Sequence, residues 1–137
     1  MRAAMLLCDA AQEIGGKLYI LGGGWSIRQV EQQALMAVAI KLAIGWNEAN
    51  EPLEFELRLM TADGDIYDAG AGPVVIKGRT EVGRPPGLKP GTELDAALAI
   101  TVGFPLAAGA YRWEFDINSK RLAEEPFLVR APASAAR

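Results

Sequence analysis

From residue 35 onward the chain alternates. Met36, Val38, Ile40, Leu42 and Ile44 hold the even positions, and Leu35, Ala37, Ala39, Lys41 and Ala43 the odd ones. Large apolar groups on one side and mostly small or charged groups on the other make a period of two, which predicts a strand. A helix would instead place Lys41 one turn above Ala37 among large apolar neighbours, at a cost in desolvation. The same period recurs in "LEFELRLM", where Leu53, Phe55, Leu57 and Leu59 alternate with Glu54, Glu56 and Arg58. It recurs again in "YRWEFDIN", where Tyr111, Trp113, Phe115 and Ile117 alternate with Arg112, Glu114, Asp116 and Asn118. Leu98, Ile100, Val102 and Phe104 form a further set, "VVIKGRTEV" is rich in β-branched residues, and "KLYIL" and "PFLVR" add short strands near the two ends.

The punctuation between these runs fits strands joined by short connections. "NEANEP" and "ADGD" separate apolar segments, and Asp63–Gly64 is a strong hairpin signal. "GRPPGLKPG", residues 83–91, is a Pro/Gly loop with little capacity for helix. The start, "AAMLLCDAAQ", is rich in helix-favouring alanine, yet a first strand completing a sheet suits the rest of the pattern better. The expectation is an all-β protein: an antiparallel, immunoglobulin-like β-sandwich of about eight strands. It forms one domain over residues 1–130, followed by a frayed tail, "APASAAR", at 131–137. The residues expected inside are Met36, Val38, Ile40, Phe55, Leu57, Trp113 and Phe115.

Near the end, "FPLAAGAYRWEFDI" places Gly109 and Tyr111 where a turn leads into an alternating strand. This resembles the tyrosine corner of immunoglobulin-like sandwiches, in which the tyrosine hydroxyl bonds back to the preceding turn. With the early "LLCDAA", the "GGKLYILGGGW" that follows and the late "GAYRWEFDI…PFLV", the chain resembles a family of small uncharacterised bacterial proteins. That resemblance covers most of the chain and implies a fold; it brings no functional residues with it.

"LYILGGGW", residues 18–25, raises the possibility of a nucleotide loop. A dinucleotide fingerprint requires G-x-G-x-x-G, and Ile27 stands where the third glycine belongs after Gly22 and Gly24. The helix that should follow is also replaced by the strand at 35–44. A phosphate loop fails at "AQEIGGKL", which has Ala11 in its first position and Leu18 in its last. The glycines therefore read as a bulge or tight corner with Trp25 packed beside it, and no cofactor is expected.

The chain has no histidine, which removes Ser-His-Asp and Cys-His catalysis and the commonest zinc ligand. Its one cysteine, Cys8, lies in an apolar segment and reads as a small core residue. A single thiol fits a reducing compartment, and the short apolar start is broken by Asp9, so a cytoplasmic location is expected. Asp63, Asp65 and Asp68 invite a calcium reading, but the hairpin turn explains them with fewer assumptions, and no metal site is expected. Glu54, Glu56 and Glu114 are acid–base candidates; on alternating strands they instead belong to the solvated face, with Arg58 and Arg112 as partners. No catalytic residue is therefore assigned.

A formal charge of −3, with no cluster of lysine and arginine, gives no footprint for nucleic acid or an anionic membrane. The longest apolar run is interrupted by Lys41 and falls short of a membrane span of about 20 residues. What remains is a non-enzymatic interaction or assembly module that binds a protein partner or itself. The alternatives are a small carboxylate-using enzyme and a ligand- or calcium-binding recognition domain. Binding candidates are Trp25 and Trp46 at strand ends and Arg84, Pro85, Pro86 and Lys89 in the long loop. A homodimer is expected through the alanine face of strand 35–44, because Ala37 and Ala39 allow a second layer to approach closely. The chain's own N-terminal segment is the other possible cover.

Overall fold

The computed structural model describes residues 1–30 and 35–131, and within them nine strands. In chain order these are β1 (Arg2–Ile14), β2 (Lys17–Gly23), β3 (Ile27–Gln29), β4 (Leu35–Ile44), β5 (Pro52–Thr61), β6 (Val75–Glu81), β7 (Leu94–Gly103), β8 (Gly109–Ile117) and β9 (Lys120–Arg130). One 3-10 turn, Trp46–Glu48, follows β4. The strands form a four-stranded sheet, β2-β1-β4-β7, packed on a five-stranded sheet, β3-β9-β8-β5-β6. Neighbours are antiparallel except β3, which runs parallel to the end of β9. The start of the chain is strand, as its place in the pattern predicts, and all but Ala131 of the expected frayed tail lies outside the described residues.

The inner faces hold the residues that the alternation places there. Met36, Val38, Ile40, Leu57, Trp113 and Phe115 are fully buried, while Phe55 is half-buried beside Gly78 on the neighbouring strand. Trp113 joins the two sheets, because its Nε1 donates to Met36 Sδ at 3.4 Å. Pro126 is tolerated inside β9 because β3 pairs only with residues 128–130, so no ladder bond is lost there. The Tyr111 hydroxyl donates to the Ala107 carbonyl at 2.6 Å, forming the expected tyrosine corner.

The outer face of β4 departs from the second-copy expectation. Cys8, Ala11, Ala37 and Ala39 form a second buried cluster, with Leu18 and Ala99 packed around it. The pairing of β1 with β4 ends at Cys8; beyond it β1 continues with β2 as a hairpin. Residues 11–14 of that hairpin and residues 97–99 of β7 line one recess, so the hairpin leans back over the sheet. Ala37 is 0% and Ala39 2% exposed within a single chain. The chain's own N-terminal segment covers the alanine face.

The glycines at the end of β2 are explained by the same hairpin. Gly22 has φ 59°, and a side chain there would collide with the Asp9 carboxylate. A Cβ at Gly23 would come within 2.7 Å of Ile20 and 3.0 Å of Leu6. Gly24 N then donates to Leu7 O at 2.8 Å, closing the corner before Trp25. This is a strand end built for close packing.

Candidate functional site

Trp46 and Arg84 are brought together. The guanidinium lies 4.7 Å from the centre of the indole ring, and its Nε and Nη2 donate to the Trp46 carbonyl at 3.1 and 2.7 Å. The loop that carries Arg84 crosses from β6 in one sheet to β7 in the other, so this contact anchors the crossover at its start. Pro85, Pro86 and Lys89 are exposed farther along it, where Thr92 closes a turn on the Lys89 carbonyl at 2.7 Å.

Trp25 lies elsewhere. Its ring meets Phe127 edge-on at 5.9 Å, and the Arg28 guanidinium sits 4.8 Å from its centre. Arg28 also donates to the carbonyl of Leu35, the first residue of β4, whereas Trp46 follows the last. A ten-residue strand, roughly 30 Å long at about 3.3 Å per residue, separates the two tryptophans. They do not converge on one pocket.

The outer face of β5, β8 and β9 carries a connected ion-pair network. Arg58 binds Glu56 and donates to Asp116 at 2.8 Å. Arg121 bridges Asp116 at 2.7 Å and Glu114 at 2.8 Å, and Arg112 reaches Glu114 at 2.7 Å. Lys77 and Arg79 of β6 pair with Glu56 and Glu54 around a shallow depression of about 570 Å3. The acid–base candidates Glu54, Glu56 and Glu114 therefore all lie in ion pairs. Burial alone would push the Asp116 carboxyl upward, but hydrogen bonds from Arg58 and Arg121 outweigh it and hold the group below the usual carboxylate range. A general acid at neutral pH needs the opposite shift.

This network yields a stability prediction. Replacing Arg58 by Met leaves Asp116 and Glu114 with Arg121 but removes their most enclosed partner, and is expected to cost about 2 kcal/mol at pH 7. The folded Asp116 value lies below the unfolded one of about 3.9, so this contribution is complete above that pH and is lost as pH falls through the folded value. Urea titrations should show a constant gap between wild type and Arg58→Met from neutral pH down to about 5, closing below about 4.

Asp65 and Asp68, two of the residues that invite a calcium reading, take part in local turns. Asp68 Oδ1 accepts from the amides of Gly70 at 2.7 Å and Gly72 at 3.3 Å, while Thr61 N donates to Asp65 O across the turn at 2.8 Å. Among the described residues no three Asp, Glu, Cys or His side chains group closely enough to hold a metal ion.

The outer hairpin is a further surface, away from the binding candidates. β2 is an edge strand, and Tyr19, Ile20 and Leu21 on it are 53%, 37% and 71% exposed. Ile20 and Leu6 flank the notch at Gly23, and Ala10, Ala11 and Gln12 join the three β2 residues around a groove of about 480 Å3. The signal for this surface was present in "KLYIL", an apolar strand with no polar alternation. Such a run is either buried on both faces or left open at an edge, and the run alone does not say which.

The fold and these surfaces define a two-sheet β-sandwich with an open apolar edge. The chain belongs to a family of unknown function, DUF6941, whose model matches residues 3–130. No curated protein matches the chain.

Proposed function

We propose that this protein is a non-enzymatic β-sandwich module that acts by associating with a protein through its N-terminal hairpin. The observation that carries the reading is the open edge of β2, where three large apolar side chains face solvent on a strand with no outer neighbour among the described residues. Natural sheets normally guard such an edge with charge, proline or a covering element. The ion-paired outer face of the other sheet supports the same reading, because its arginines and carboxylates are engaged with one another. The lone buried thiol of Cys8 supports a cytoplasmic setting for this association.

Affinity purification from the native host, comparing wild type with Tyr19→Lys/Leu21→Lys, tests this reading. The expected result is a protein recovered in stoichiometric amount with wild type and lost with the double variant, whose circular dichroism remains that of the folded sandwich. Equal recovery by both forms, or none by either, would contradict it.

A further inference from the structure

We infer that the occupant of the β2 edge is a second copy of this chain, paired antiparallel through residues 18–22 about a two-fold axis at Ile20. The inference rests on the association reading and gives it a partner and a register.

Among the described residues the four sheet edges are not equivalent. β6 carries Lys77, Arg79 and Glu81 along its length, and β3 is three residues long. The hairpin leans against β7, with residues 11–14 sharing a recess with 97–99. β2 has seven residues, and its sole charged residue is Lys17 at the start. β7 also has one charged residue, Asp95, but its Leu98, Ile100 and Val102 are half-buried, so β2 is the long edge with the most exposed large apolar side chains.

Charge and shape both suit a copy of itself. With Ile20 opposite Ile20, antiparallel pairing sets Tyr19 of each copy against Leu21 of the other, and Leu18 against Gly22. The two most exposed large apolar side chains of β2 thus cover each other as aromatic–aliphatic cross-strand pairs. Lys17 falls opposite Gly23, beside Gly22, over which the second copy's own Asp9 carboxylate lies. No like charges oppose one another, and each end of the paired segment places a cation near an anion. A two-fold axis satisfies both ends at once, because the same patch meets itself. The result joins two four-stranded sheets into one continuous sheet. Strand-to-strand contact of this extent lies at the small end of interface sizes, below about 1,200 Å2, so the dimer should be reversible at micromolar concentration.

Sedimentation velocity from low to high micromolar concentration is expected to show wild type passing from monomer to dimer and Ile20→Lys remaining monomeric, with both folded by circular dichroism. An equimolar mixture of Tyr19→Cys and Leu21→Cys, mildly oxidised, should form the mixed disulfide in preference to either self-linked pair. A dimer untouched by Ile20→Lys, or preferential self-linking of either cysteine variant, overturns the inference. So does a wild type that stays monomeric throughout. A monomeric wild type that still recovers a different protein through Tyr19 and Leu21 leaves the association reading standing; one that recovers none removes both.

Discussion

Truncating Trp113 to alanine is expected to destabilise the protein by about 4 kcal/mol, seen as a lower urea midpoint and a melting temperature reduced by roughly 12 °C. Trp113 is fully buried on β8, the middle strand of the five-stranded sheet, and reaches across the sandwich to Met36 on β4. Alanine there forfeits the transfer energy of an indole and leaves a cavity between two sheets that cannot close without bending a strand. It also removes the indole N–H donor to the Met36 sulfur. Trp113→Phe keeps most of the apolar volume and should cost clearly less. A loss below about 1 kcal/mol for the alanine variant would show that the sheets do not pack at this point.

Ala37→Lys is expected to cost about 3 kcal/mol, because an ammonium group must enter a site with no room and no partner. Ala37 is 0% exposed, packed with Cys8, Ala11 and Ala39 beneath the hairpin, and its carbonyl accepts from the Cys8 thiol at 3.3 Å. The lysine can reach water only by lifting that hairpin. Hydrogen exchange should therefore speed up first at the amides of residues 9–22, while those of β5 and β8 change less. Leu35→Lys provides the control on the same face, where the side chain is 56% exposed and the change should stay within about 0.5 kcal/mol. If Ala37→Lys were as stable as wild type and altered only the oligomeric state, the alanine face would be an intermolecular surface after all.

That contrast marks how far the sequence could be read. Alternation identified β4, β5 and β8 and their buried faces, because a period of two depends only on which residues face one core. It also separated Ala37 and Ala39 from the large residues beside them, and so flagged a closely covered face. It did not identify the cover, since the hairpin meets β7, a strand distant in sequence, around a shared recess. Trp46 and Arg84 both stand out in the sequence, but their contact across 38 residues of chain is not readable there. β3 escaped altogether: three residues pairing in parallel with β9 are too few to show a period. The edge position of β2 is likewise a property of sheet order, which local pattern does not encode.

The most direct test of the central claim, that the hairpin is the association surface, is site-specific photocrosslinking in the native host. A photoreactive residue would replace Leu21, with matched controls at Arg79 and Lys120 on the other sheet. Covalent protein adducts should form in high yield at position 21 and at background level at the two controls. Background yield at position 21, or equal yield at all three positions, would contradict the account.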